Sequence, residues 1–166
     1  KKNFDNYGDY AKKGKLIKGI LSKFKKDVFF KKKFPKSLDR NYFNVFLKDL
    51  TQHNANDAIH TASMMTVYSI IKGFNLINEK IELLILTGGG RKNLFIKKNI
   101  IKELRFKKIV TNDIENFGFN GDMIEAQMFG YLSVRSVKKL PLSLPSTTGV
   151  KKPMSGGVKY GKLNKR

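Results

Sequence analysis

Seven residues from Ile81 to Thr87, IELLILT, run almost without polar interruption straight into Gly88-Gly89-Gly90. An apolar stretch this short, with little alternation, reads as a strand covered on both faces, in the middle of a parallel sheet. Leu94, Ile101 and Leu104 then predict a helix over about 92–104, with Lys97, Lys98 and Lys102 outside. KIVT at 108–111 reads as the next strand. Strand, glycine turn, helix and strand form a βαβ-like unit, which places the chain in the α/β class.

The rest of the chain is arranged around that unit. Residues 1–14, polar and holding Gly8 and Gly14, read as a loop or a ragged entry. Leu16, Ile17, Ile20, Leu21 and Phe24 have the spacing of a short amphipathic helix. Pro35 breaks the chain, and Ser37 can cap a helix over about 38–51. A helix over about 55–74 follows Asn54 as its cap. Its two apolar ridges make a face wide enough to lie on a sheet. Asp122 to Val137 is the last clear helix. Pro141 and Pro145 bound an extended linker, and residues 151–166 form a basic, Gly-rich tail.

Composition narrows the function. The 166 residues carry 34 Lys+Arg against 13 Asp+Glu, a formal net charge of +21, which invites a nucleic-acid reading. Only five of the basic residues are Arg, however, and bidentate phosphate and base recognition prefers Arg. Most lysines interrupt apolar periodicity as a solvated face would, so nucleic acid is not the expected partner. The absence of Cys excludes a disulfide scaffold and any Cys-ligated zinc site. No apolar run reaches the length of a membrane span. The opening KKNFDNYGDY has no Met and no h-region, so the chain is expected to be the C-terminal part of a longer protein.

Four groups of residues could carry chemistry. Gly88, Gly89 and Gly90, with Asn93, stand where backbone can approach a nucleotide closely and a helix N-terminus offers free N–H groups. The alternative is a tight βα turn without a ligand. Gly-Lys-Ser/Thr is absent, which excludes a P-loop, and Asn93 stands in place of the third Rossmann glycine. Glu125 heads an apolar stripe with Met128, Phe129 and Leu132. It is either a buried site carboxylate or the N3 member of a capping box begun by Asp122. Lys36 and Arg40 either hold an anionic or sugar substrate or are surface charges. His53 and His60 match no metal motif and read as structural or exposed, and no metal site is expected in the chain.

Five segments, in order, resemble one family. Phe4-Asp5-Asn6-Tyr7-Gly8-Asp9-Tyr10-Ala11 is similar to a Tyr-Asp-x-x-Gly-x-x-Ala motif. Phe34-Pro35-Lys36-Ser37-Leu38-Asp39-Arg40 is similar to Pro-Pro-Lys-Ser-Thr-Gly-Arg, with Phe34, Leu38 and Asp39 departing from it. Thr87-Gly88-Gly89-Gly90-Arg91-Lys92-Asn93 resembles a Cys-Gly-Gly-Gly-x-x-Asn nucleotide loop. Asp122-Met123-Ile124-Glu125-Ala126 with Phe129 and Leu132 resembles an Asp-x-x-Glu-Ala helix. Leu144-Pro145-Ser146-Thr147-Thr148-Gly149-Val150 resembles a closing Leu-Pro-x-x-Thr-Gly-Ala. On these motifs the chain resembles the anhydro-N-acetylmuramic acid kinases, sugar kinases of the actin/Hsp70/hexokinase type.

The resemblance implies an RNase H-like, actin-like fold, of which residues 1–150 would be the nucleotide-side second domain, with a central parallel or mixed sheet and packed helices. It implies ATP and Mg²⁺ as cofactors, an anhydrosugar substrate, a bacterial cytoplasmic location and a homodimer. The reaction implied opens 1,6-anhydro-N-acetylmuramic acid with water and phosphorylates O6, within peptidoglycan recycling. Gly88, Gly89, Gly90 and Asn93 would lie near the nucleotide, and Glu125, Lys36 and Arg40 would orient substrate. The general-base Asp, in an Asp-x-Gly-Pro-x-Asn segment, is expected upstream of Lys1, and the phosphate loop is also absent from the chain. The fragment is therefore expected to be inactive alone. The rival readings are a basic nucleic-acid-binding module and a catalytically inactive remnant.

Overall fold

The computed structural model describes residues 4–39 and 41–161. Its elements run α1 (Asp9–Lys13), α2 (Lys18–Lys25), α3 (Val45–Leu50), α4 (Ala55–Phe74), β1 (Leu83–Leu86), α5 (Leu94–Arg105), β2 (Val110–Asp113), α6 (Ile124–Val137) and α7 (Pro145–Thr148). They gather into two compact units. One holds the residues up to Lys33 together with Leu38–Asp122; the other holds Phe34–Ser37 and the chain from Met123 onward.

Two apolar clusters build the first unit, and α4 serves both. One ridge of α4 meets α2 and α3, where Phe24 sits in a cage of rings, with centroids 4.8 Å from Phe43, 5.0 Å from Phe30 and 5.3 Å from Phe46. On its other side Val67 packs with Ile100 and Leu104 of α5 and with Leu84 of β1. The wide face predicted for this helix is real, but other helices cover most of it. Its cap is the expected one, with Asn54 Oδ1 accepting from the Asp57 N–H at 3.0 Å.

The α/β expectation holds, in a reduced form. β1 and β2 pair in parallel, Leu83 with Val110 through Leu86 with Asp113, and α5 is the crossover between them. Coverage of the strand on both faces does not hold. Leu84 faces the α4–α5 cluster, but Leu83 and Ile85 on the opposite face are exposed. The second strand begins two residues later than the KIVT pattern suggests. Lys107, Lys108 and Ile109 first close the end of α5 with bonds to Leu104 and Arg105, and Lys108 adopts φ +56°.

Three other local expectations fail for identifiable reasons. Within residues 4–14 the chain is not a loop but holds α1. Asp5 accepts from the N–H groups of Tyr10 at 2.7 Å and Ala11 at 3.1 Å, capping α1 from a distance, and Ala11 is fully buried. The 38–51 helix starts late and Ser37 does not cap it. Asp39 forms a local turn with the Asn41 N–H, a 3-10 turn spans Tyr42–Asn44, and α3 begins at Val45. Lys97 is not on the outer side of α5, because its Nζ lies 2.5 Å from Asp113 Oδ2.

In the second unit, the linker bounded by Pro141 and Pro145 is free of helix and leads into the one-turn α7, with Pro145 at its start and Gly149 closing it at φ +74°. The Phe34–Pro35 bond is cis. A Cβ on Gly149 would lie 3.3 Å from Pro35 Cγ, so the second and fifth family-like segments touch. The basic tail is tied down in part. Met154 pairs with Leu142 and Ser143, and Ser136 Oγ donates to the Gly156 carbonyl at 2.5 Å.

Candidate functional site

The glycine turn leaves the carboxyl end of β1. Gly88 has φ +72° and ψ +176°, a region that is essentially glycine-only. Gly89 and Gly90 open a 3-10 turn over Gly89–Lys92 that precedes α5, so the turn does not pass straight into the predicted helix. A Cβ placed on Gly88, Gly89 or Gly90 would meet nothing within 4 Å. No internal packing therefore requires Gly89 and Gly90 to lack a side chain. Asn93 caps α5, its Oδ1 accepting from the Ile96 N–H at 3.0 Å.

A charged network holds this turn, and sequence reasoning missed it. The Arg91 side chain is only 7% exposed. Its Nε donates to both carboxylate oxygens of Glu115, at 2.9 and 3.2 Å, and Nη2 also donates to Glu115. Nη1 donates to Asp122 Oδ1 and to the Gly88 carbonyl, each at 2.8 Å. Lys92 Nζ lies 2.6 Å from Asp122 Oδ2. The Gly88 N–H donates to the Gly121 carbonyl at 3.2 Å, and the Gly121 N–H donates to Glu115 Oε1 at 3.2 Å. Glu115 and Asp122 stand 24 and 31 residues from Arg91 in sequence, so no local spacing reveals these pairs.

The same network overturns the capping-box reading of Asp122 and Glu125. Asp122 is taken by Arg91 and Lys92, Met123 is the N-cap of α6, and no side chain caps that helix. Glu125 is exposed rather than buried. Gly88, Gly89, Gly90 and Asn93 lie together in the first unit, whereas Lys36, half-buried, and Glu125 lie in the second. Arg40 lies outside the described residues. His60 is structural, its Nδ1 2.7 Å from the Ala11 carbonyl and its ring tilted at 58° against Phe95, with centroids 4.8 Å apart.

Arg91 fixes the protonation of both acids. Hydrogen bonds from Arg91 and then Lys92 hold the Asp122 carboxyl down to about 2. The Arg91 hydrogen bond likewise lowers Glu115, and the two acids raise Arg91 further above its ordinary value. Folded-state values below the unfolded ones mean that the network stabilises the protein fully above about pH 4–5 and fades as pH falls toward 2. The urea midpoint is therefore expected to drop over that interval, and to drop less in Arg91→Met. Equal slopes in the two proteins would show that the network adds no stability.

The chain matches the family model described as anhydro-N-acetylmuramic acid kinase over residues 1–162. The chain belongs to that family. It is 36% identical to the anhydro-N-acetylmuramic acid kinase of Caulobacter vibrioides, over 97% of this chain and 42% of that protein. The kinase of the same name from Zymomonas mobilis is 34% identical, over 93% of the chain and 41% of the relative. That from Phenylobacterium zucineum is 35% identical, over 93% and 40%. The chain thus spans about two fifths of the length of the curated anhydro-N-acetylmuramic acid kinases it matches. No described helix is long and apolar enough to cross a membrane.

Proposed function

We propose that the chain supplies the nucleotide-side part of an ATP-dependent anhydro-N-acetylmuramic acid kinase. In this reading, water opens the 1,6-anhydro ring and the γ-phosphoryl group of ATP passes to O6. The product, N-acetylmuramic acid 6-phosphate, enters cell-wall recycling in the bacterial cytoplasm, and the enzyme acts as a homodimer. Residues 1–150 are the RNase H-like, actin-like second domain, and 151–166 are a basic tail. Family membership and the parallel strand pair with its helical crossover support this assignment.

One observation carries the reading. Gly89 and Gly90 are free of both backbone and packing reasons to be glycine, and they border open space at the carboxyl end of a parallel strand. Open α/β sheets bind their ligands at that end. A nucleotide phosphate or base can approach bare backbone there, with the start of α5 supplying partial positive charge. Asn93 would keep that helix start in register. Glu125, Lys36 and Arg40 would orient the sugar, and the general base falls on no residue of this chain.

The donor set around the turn does not fit Mg²⁺. Glu115 is paired with Arg91 and Asp122 with both Arg91 and Lys92, and no three ligating side chains gather among the described residues. No residue of this chain is therefore assigned to the metal.

Calorimetry of the 166-residue chain with Mg·ATP is expected to show saturable binding. Mass spectrometry after incubation with ATP and the anhydrosugar is expected to show no sugar phosphate. A folded chain that takes up no ATP overturns the nucleotide reading. Appearance of the 6-phosphate would place a general base within these residues and overturn the proposed division of labour.

A further inference from the structure

We propose that Arg91 is the positioning residue of the nucleotide-binding turn, fixing the Gly88–Gly90 backbone through Glu115 and Asp122 without itself touching phosphate. The inference rests on the nucleotide reading above and deepens it.

The first ground is burial. An arginine on a surface turn ordinarily extends into water. This one is 7% exposed, and its guanidinium makes contacts to Glu115, Asp122 and the Gly88 carbonyl. The second is steric and independent. A Cβ on Gly121 would lie 2.6 Å from Arg91 Cζ and Nε. Only a glycine at 121 lets the guanidinium lie against that backbone. The third is that Gly88 is held at both its polar atoms. Its N–H reaches the Gly121 carbonyl, and its carbonyl accepts from both the Arg91 N–H and Nη1. Gly88 belongs to neither β1 nor the following 3-10 turn, so these bonds set its shape.

Charge then separates positioning from direct binding. Two cations face two carboxylates here, and the cluster is neutral. A guanidinium already engaged by two carboxylates has no fork left to offer a phosphate. Anion recognition is left to backbone N–H groups, which act well only when their directions are set before the ligand arrives. Three successive glycines are the most entropically costly residues to order. Arg91 supplies that order in advance.

The test uses the full chain, with ATP affinity from calorimetry and amide exchange at Gly88 and Gly121. Arg91→Ala and Arg91→Lys are both expected to weaken ATP by about tenfold, because a lysine keeps the charge but not the fork. The salt dependence of the affinity is expected to stay unchanged. Glu115→Gln is the decisive variant. Positioning predicts weaker ATP binding, because the clamp loosens; a phosphate-binding arginine predicts tighter binding, because a cation is released. Exchange at Gly88 and Gly121 should quicken in Arg91→Ala with or without ATP. Unchanged exchange overturns the clamp itself. Quicker exchange with unaltered ATP affinity overturns the positioning role. A folded wild-type chain that binds no ATP overturns the functional reading and the positioning role with it, while exchange still reports whether the clamp exists.

Discussion

Gly89→Val is expected to cost roughly 10–100-fold in ATP affinity while leaving the unfolding midpoint of the chain almost unchanged. The two halves of that expectation come from the same geometry. A Cβ at Gly89 meets no protein atom within 4 Å, so the fold has room for the new side chain. The space it enters is the space assigned to the nucleotide. Gly88→Ala is the contrasting variant. It too meets no neighbour, but its φ of +72° with ψ of +176° is closed to L side chains, so about 1–3 kcal/mol of stability should be lost. One glycine would thus report on ligand and the next on backbone. Retained ATP affinity in a folded Gly89→Val chain would remove the basis of the functional proposal.

Gly8→Ala is expected to be among the most destabilising single-methyl additions available, at about 2–4 kcal/mol. Gly8 sits at φ +83°, and a Cβ there would lie 2.5 Å from Asn93 Oδ1 and 2.9 Å from the Phe95 backbone nitrogen. Backbone strain and collision therefore act together. A domain of this size has a net stability of only about 5–15 kcal/mol, so urea unfolding should show a large shift. Asn93 would be pushed from its place at the start of α5, and ATP binding should weaken in the molecules that remain folded. A midpoint within about 0.5 kcal/mol of wild type would mean that Gly8 does not lie against Asn93 and Phe95 at the start of α5.

These glycines show how far the sequence could be read. The βαβ unit was legible because an apolar strand, a glycine turn and a periodic helix are local patterns. The start of α4 was legible because Asn54 caps the long periodic run that follows it. The Asp-x-x-Gly-x-x-Ala segment was recognised as a motif, yet its role was hidden. Its aspartate caps α1 from four residues upstream, its glycine makes room for Asn93, and its alanine is fully buried. Each role depends on a partner brought near by folding. The Arg91 clamp was invisible for the same reason, and Asp122 was misread because capping is a local rule and Arg91 is a distant competitor. The strand expected over Ile81–Thr87 was read as covered on both faces because its residues are nearly all apolar. Periodicity reports the chemistry of a strand, while the number of its neighbours comes from elsewhere in the fold.

Helix α4 contributes Met65 to the cluster of phenylalanines and Val67 to the cluster beneath the strand, and Met64 packs against both. Loss of packing among the aromatic rings therefore propagates along one rigid rod to the support of the glycine turn. Phe24 and Gly88 should melt in a single transition, and a lesion in the ring cage would register at the turn as fewer competent molecules, each with undiminished affinity.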